Sequence, residues 1–179
     1  MQTNQMDQTG NPMREPEASV ENERFAKELI SDFAEAYGSF GLNPLMGRII
    51  GLLLVSPEPL SLDEIANRLE MSKGPISQIC RRLKERHLIE KIWVPGDRKD
   101  YYRAVDDIFG QAFENQIHKM YRNAEIAHRH AQQTRDSGDP LESFVHGRMK
   151  EMAEFYERLH QAQLAFLETW RALKDTRKT

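Results

Sequence analysis

Residues 60–104 constrain the fold more than any other stretch, because they carry the signals of two short helices and two strands in succession. Ser61 and Glu64 have the S-x-x-E spacing of a capping box, and Leu60 and Ile65 occupy the two positions of a hydrophobic staple. This pattern predicts a short helix over the letters SLDEIANRLEM, beginning at residue 61 or 62. The letters SKGP then form a tight turn before a second helix, and such a pair predicts a helix-turn-helix.

The second helix is predicted to separate its side chains by face. Ser72 or Gly74 caps it, and Pro75 lies in its first turn, where a missing backbone N–H costs nothing. The spacing i, i+3, i+4, i+7 predicts a buried stripe of Ile76, Ile79, Cys80 and Leu83. The other face is left wholly or partly exposed and holds Ser77, Gln78, Arg81, Arg82 and Lys84.

A β-hairpin is predicted directly after this helix. Residues 88–94 (LIEKIWV) alternate apolar and polar side chains, PGDR forms a turn, and KDYYRAV returns as a second strand. A helix-turn-helix followed by a hairpin is a winged helix, and the tip of this wing carries Arg98 and Lys99.

Charge is distributed unevenly along the 179 residues, whose formal net charge is −3. Residues 1–35 hold three basic and eight acidic side chains, whereas residues 72–103 hold nine basic and four acidic ones. A basic island on an acidic chain is typical of a nucleic-acid surface, although a solvated basic helix gives a similar count. We predict double-stranded DNA as the partner of a set of residues comprising Ser72, Lys73, Gly74, Ser77, Gln78, Arg81, Arg82, Lys84, Arg98 and Lys99.

The same stretch also resembles a known family. The letters SKG, followed by WVPGDRKDYY, are similar to the GbsR-type branch of the MarR superfamily of bacterial transcriptional regulators, over about residues 25–135. The resemblance implies a homodimeric winged-helix regulator, often a repressor, on a palindromic operator. It also implies possible release by a small effector, and the family members characterised with an effector respond to choline.

The regions on either side of the winged helix are predicted to dimerise. Residues 1–18 are polar and are expected to form a disordered tail, and an amphipathic helix is expected within residues 19–42. The DNA-binding domain then spans 43–105, and residues 106–179 form two long helices broken at DSGDP, residues 136–140. The last helix has an apolar repeat of about 3.5 residues: Val145, Met149, Met152, Tyr156, Leu159, Ala162, Phe166, Trp170 and Leu173. Burial of that stripe against a twin protomer is favoured over burial within the chain.

Several other residues have a functional and a structural interpretation. Aromatic side chains could form a cation–π cage for a quaternary ammonium effector, although aromatic residues at helical spacing are more often core; the candidates are Phe33, Tyr37, Phe40, Trp93, Phe113 and Tyr121. Glu114 and His118 have the spacing of two ligands on one helical face but lack a third, so we predict no metal site and no cofactor. Cys80 is interpreted as a small buried hydrophobic residue rather than a redox switch.

The expected fold class is therefore mainly α, with a winged helix-turn-helix domain and long N- and C-terminal dimerisation helices. The chain has neither a secretory signal pattern nor an apolar run long enough to cross a bilayer, which predicts a cytoplasmic protein that does not enter the membrane. Phosphate-loop, nucleophile-elbow and metalloprotease motifs are absent from the sequence, so we do not expect an enzyme. The main hypothesis is a sequence-specific transcriptional regulator. The alternative is a winged-helix protein-interaction scaffold without DNA readout.

Overall fold

The computed structural model describes residues 17–134 and 139–177, with side chains from residue 21 onward. Most of the predicted tail, residues 1–16, and most of the predicted helix break, residues 135–138, lie outside this range. Elements follow one another as α1 (Glu17–Ser39), α2 (Pro44–Leu54), β1 (Leu60–Ser61), α3 (Leu62–Arg68), α4 (Lys73–Glu85), β2 (Ile89–Ile92), β3 (Tyr101–Ala104), α5 (Ile108–Gln133) and α6 (Pro140–Arg177). The mainly α fold class with a small antiparallel sheet is confirmed.

The described chain forms two compact units. The first comprises residues up to 85 together with 89–105, and therefore contains α1, the helix-turn-helix and the wing. The second comprises residues 86–88 and 106 onward, and is built on α5 and α6. Helices of the described segments do not combine the length and apolar character needed to cross a membrane.

Helix α1 crosses α2 at two glycines. A Cβ on Gly47 would lie 2.1 Å from the carbonyl oxygen of Phe33, and one on Gly51 would lie 3.1 Å from Cα of Ile30. Because only a residue without a side chain allows two helix backbones to approach this closely, the glycines determine where α1 packs. Helix α2 is otherwise apolar and is capped by Asn43, whose Oδ1 accepts a hydrogen bond from the Leu45 N–H at 2.9 Å.

The predicted capping box is present at the start of α3. Glu64 Oε2 accepts a hydrogen bond from the Ser61 backbone N–H at 2.7 Å, and Ser61 Oγ accepts one from the Glu64 backbone N–H at 3.3 Å. These two bonds satisfy donors that a helix N-terminus leaves free. Helix α4 packs against both α3 and α2. The fully buried residues of this region include Ile49, Ile50, Ile65, Leu69, Ile76 and Leu83.

The wing belongs to a three-stranded antiparallel sheet of order β1-β3-β2. Strand β3 pairs with β2 from Ile92 opposite Tyr101 to Ile89 opposite Ala104, and β1 pairs with β3 through Leu60 opposite Tyr102. The hairpin is where the sequence predicts it, with Gly96 at a φ of 84° in the connecting turn. Strand β1 was not predicted, because two residues are too short to show an alternating pattern.

Helices α5 and α6 form an antiparallel hairpin around small residues. Ala124, Ala127 and Ala131 of α5 are buried, and so are Ala153 and Leu167 of α6. At one end of the pair, Trp170 Nε1 donates a hydrogen bond to Asp107 Oδ1 at 2.8 Å, and Arg171 Nη2 donates one to Glu114 Oε2 at 2.9 Å.

The predicted apolar stripe of the last helix is not the set of residues that α6 buries deepest within the chain. The buried positions, Ala153 and Leu167, each come one residue after a stripe position, 152 and 166. Phe166 and Leu173 of the stripe are exposed in the single chain. Small alanines allow the closest approach between α5 and α6. Burial of the stripe against a twin protomer stays a prediction.

Candidate nucleic-acid interface

Helix α4 presents its polar side chains on one face. Ile76, Ile79, Cys80 and Leu83 are buried, which confirms the predicted core stripe. Ser77 is half-buried, and the remaining predicted members of the opposite face, Gln78, Arg81, Arg82 and Lys84, are exposed. The helix is 13 residues long, or about 20 Å at 1.5 Å per residue, which suits insertion into a major groove.

The start of α4 is exposed and carries an ion pair that the sequence did not predict. Ser72, Lys73 and Gly74 are all exposed, and Lys73 Nζ lies 2.7 Å from Asp63 Oδ1 of α3. A Cβ added to Gly74 would meet no atom within 4 Å. Packing within the chain therefore does not require glycine at position 74.

The wing tip is ordered by Asp97. Its Oδ1 accepts a hydrogen bond from the Lys99 backbone N–H at 2.9 Å, and its Oδ2 accepts one from the Tyr101 hydroxyl at 2.9 Å. The Lys99 N–H, followed by the Tyr101 hydroxyl, holds the pKa of Asp97 below its ordinary value, and the same contact raises the pKa of Tyr101. Asp97 thereby fixes the backbone that carries the exposed side chains of Arg98 and Lys99.

Acidic residues neutralise part of the basic island along the hairpin. Lys91 Nζ lies 2.5 Å from Asp100 Oδ1, and Arg103 Nε lies 2.7 Å from Glu90 Oε1. Together with Lys73, these pairs engage three of the nine basic residues between positions 72 and 103. The positive charge that faces solvent is therefore concentrated on Arg81, Arg82 and Lys84 of α4 and on the wing tip.

Cys80 lies inside the helix-turn-helix and not at its surface. Its side chain is buried, and burial raises the pKa of the thiol to about 12. A thiol is reactive mainly as its thiolate. The buried position agrees with the interpretation of Cys80 as a small hydrophobic residue.

The six aromatic candidates for an effector cage are divided between the two units. Phe33 and Tyr37 of α1 are half-buried, whereas Phe40 is 79% and Trp93 is 76% exposed, all four in the first unit. In the second unit, Phe113 packs edge-on against Phe166 with ring centroids 5.3 Å apart. Tyr121 lies against His160 at 4.3 Å. The cage stays a prediction.

Glu114, which has metal-ligand spacing with His118, contacts other side chains in the structure. Glu114 accepts hydrogen bonds from Arg171 and Gln111, and the Arg171 contact lowers the pKa of the Glu114 carboxyl. Groups of three or more metal-ligating side chains do not occur within residues 17–134 and 139–177. Glu114 thus serves the contact between α5 and α6.

The fold and this surface together define a winged helix-turn-helix protein with an exposed recognition helix and a basic wing tip. Residues 40–100, which include the helix-turn-helix and most of the wing, match the model of the MarR family. A solved structure named as a transcriptional regulator superposes with a TM-score of 0.68 at 28% identity, covering 82% of this chain and 98% of its own.

Curated relatives match over part of their length. The HTH-type transcriptional repressor OpcR of Bacillus subtilis is 31% identical over 87 residues, which is 49% of this chain and 47% of OpcR. The HTH-type transcriptional regulator MmpR5 of Mycobacterium tuberculosis is 35% identical over 107 residues, 57% of this chain and 65% of MmpR5. The repressor GbsR of Bacillus subtilis also matches, at 29% identity over 47% of each chain. The chain spans about half the length of the two Bacillus relatives.

Proposed function

We propose that this protein is a sequence-specific DNA-binding transcriptional regulator that acts as a repressor. The observation that carries the proposal is the joint exposure of the polar face of α4 and the wing tip on one winged-helix domain, which matches the MarR family model. Relatives that are named as HTH-type transcriptional regulators and repressors support the same function. Regulation of transcription is binding and not catalysis, so no enzymatic activity is proposed.

In the proposed complex, α4 enters the major groove of double-stranded DNA. Ser77, Gln78 and Arg81 contact base edges, because they lie on the outer face of the first turns. Arg98 enters the adjoining minor groove, where a narrow A·T-rich groove concentrates negative potential. The remaining members of the predicted set contact phosphates or approach the backbone closely; they are Ser72, Lys73, Gly74, Arg82, Lys84 and Lys99.

The active form is proposed to be a homodimer on a palindromic operator. Phe144, Phe155 and Phe166 are exposed on α6 at intervals of 11 residues, which is three helical turns, so they share one face. An exposed apolar ridge of this length is costly in water, and a second copy of the chain presents the same ridge for mutual burial. Two copies also give two recognition helices, as a two-fold operator requires.

Two finer features of the proposal rest on the family resemblance: membership of the GbsR-type branch, and release of DNA by a small effector such as choline. A cytoplasmic location is also part of the proposal, and it rests on the sequence pattern instead. An effector acts only through different affinities for the DNA-competent and DNA-incompetent states. The aromatic residues Phe33, Tyr37, Phe40, Trp93, Phe113 and Tyr121 are the proposed contacts.

Footprinting on the promoter DNA that adjoins the reading frame of this protein tests the function. We expect protection of two half-sites whose centres lie about one helical turn, or a multiple of it, apart. Protection spread evenly over the fragment, or none at all, would favour the alternative of a protein-interaction scaffold.

A further inference from the structure

Arg48 is a charged residue in the most apolar helix of the chain. Helix α2 has the sequence PLMGRIIGLLL, and seven of its eleven residues are buried. Arg48 itself is half-buried. Because removing a guanidinium from water is unfavourable unless its donors find partners, this position requires an explanation.

Both ends of the Arg48 guanidinium contact the turn of the helix-turn-helix. Nη2 donates a hydrogen bond to the carbonyl oxygen of Leu69 at 3.0 Å, and Nη1 lies 3.6 Å from the sulfur of Met71. Leu69 is the C-cap residue of α3, and Glu70 follows with a positive φ of 53°. Arg48 therefore binds the turn where the chain changes direction between α3 and α4.

The local backbone explains why a side chain is needed at this carbonyl. The N–H groups of Glu70 and Met71 donate to the carbonyls of Asn67 and Ala66, which satisfies two acceptors at the end of α3. The guanidinium satisfies the Leu69 acceptor and places a positive charge at the negative end of the α3 dipole.

We propose that Arg48 is a positioning residue for DNA recognition, which fixes the turn at residues 69–72 and thereby the direction of α4 relative to α3. The proposal rests on the DNA-binding function proposed above. Helix α2 packs directly against α4. Through Arg48, the same helix also holds the turn that leads into α4. A turn without this contact leaves α4 free to adopt several directions, only one of which places Gln78 and Arg81 at the base edges.

Three variants separate this role from a general loss of folding. Arg48→Met keeps a long side chain but removes both donors, and Arg48→Lys keeps the charge on one compact donor group. Arg24→Met is the control, since it removes one positive charge from an exposed position on α1. Affinity for an operator duplex and for a scrambled duplex is measured by fluorescence anisotropy, and hydrogen–deuterium exchange is measured over residues 66–73.

Arg48→Met should bind the operator about tenfold more weakly than Arg24→Met does, a factor equivalent to about 1.4 kcal/mol. Its affinity for the scrambled duplex should stay close to that of the control, because phosphate contacts tolerate a misdirected helix better than base contacts do. The operator affinity of Arg48→Lys should lie between those of Arg48→Met and the wild type. Amides of residues 69–73 should exchange faster in Arg48→Met, while those of α2 keep their protection.

Equal operator affinities for Arg48→Met and Arg24→Met would overturn the proposal. An equal loss on both duplexes would also overturn it, because that result indicates a smaller folded fraction and not a misdirected helix. If Arg48→Met does not fold, Arg48→Lys decides, and unchanged exchange over residues 69–73 in that variant refutes the positioning role. If the wild-type protein binds both duplexes equally well, the proposed function itself is contradicted. That outcome is distinguishable from failure of the Arg48 proposal, which concerns only the variants.

Discussion

The ammonium group of Lys73 lies 2.7 Å from the carboxylate of Asp63, so the first residue of the recognition helix is paired with an acid of the same chain. In the proposed DNA complex, a phosphate would compete with Asp63 for this lysine. We therefore expect Asp63 to limit the electrostatic part of the affinity.

Asp63→Asn should bind DNA more tightly and with a steeper salt dependence. Loss of the competing carboxylate lets Lys73 contact its phosphate fully, so the slope of log affinity against log salt should become more negative, by at most about one unit. The gain should be similar on operator and scrambled duplexes. Asp32→Asn on α1 is the control, since it removes the same charge at an exposed position away from α3 and α4. An unchanged slope in Asp63→Asn would contradict competition between Asp63 and a phosphate for Lys73.

Asp97→Ala should weaken operator binding although it makes the wing more positive. The variant loses both hydrogen bonds that hold the wing tip, so Arg98 no longer has a fixed approach to the minor groove. Removal of a negative charge alone would predict tighter binding. Fluorescence anisotropy on an operator with A·T pairs under the wing distinguishes this charge effect from the loss of wing-tip geometry. Tighter binding by Asp97→Ala would mean that wing geometry does not contribute.

The order of the wing tip should be insensitive to pH above the ordinary pKa of an aspartate. The pKa of Asp97 is lowered in the folded protein, so the stabilisation from its ionised form is complete above the reference value of 3.8. It is lost as the pH falls below that value and through the folded pKa. An NMR titration of the Asp97 carboxyl carbon should give a midpoint below 3.8, and a midpoint above it would contradict the hydrogen-bond pattern.

Much of the first unit could be predicted because its signals are local. The capping box at Ser61 and Glu64, the buried stripe of α4 and the hairpin each depend on residues a few positions apart, and those spacings are visible in the sequence. The division of α4 into a core face and an exposed face followed from the 3.6-residue period alone.

The contacts that determine the surface in detail were not predictable in the same way. Asp63 with Lys73 and Arg48 with Leu69 are separated by 10 and 21 residues, and nothing local marks them as partners. The role of Asp97 had a weak local signal in the sequence. In turns, an aspartate carboxylate commonly accepts a hydrogen bond from the backbone N–H two residues further along. The burial of Ala153 against α5 was not predicted, because an alanine that allows close packing contributes little to an apolar pattern.

Gly47→Ala should destabilise the first unit. The new methyl group would lie 2.1 Å from the Phe33 carbonyl oxygen, so α1 must move, and overpacking of this kind costs about 1 to 3 kcal/mol. Gly147→Ala on α6 is the matched control, because its methyl group meets no atom within 4 Å and alanine favours a helix. Thermal unfolding should show a lower Tm for Gly47→Ala alone. Equal Tm values would contradict the close crossing of α1 and α2.

Replacing Phe155 and Phe166 together by Gln should weaken the proposed dimer. Sedimentation at micromolar concentration should give about twice 20.9 kDa for the wild type and a lower average mass for the double variant. Trp93→Gln, which removes an exposed aromatic side chain from the wing, should leave the mass unchanged. A wild-type protein that sediments as a clean monomer would contradict the homodimer and the two-fold operator with it.

The most direct test of the central claim compares Gln78→Ala, Arg81→Ala and Lys99→Ala on operator and scrambled duplexes, by fluorescence anisotropy at several salt concentrations. Because base contacts carry sequence information and phosphate contacts do not, the first two variants should lose about 1 to 3 kcal/mol on the operator and much less on the scrambled duplex. Lys99→Ala should weaken both duplexes alike and flatten the salt slope by about one unit. If all three variants lost affinity equally on both duplexes, the basic surface would bind DNA without reading its sequence, and the account of this protein as a sequence-specific regulator would be contradicted.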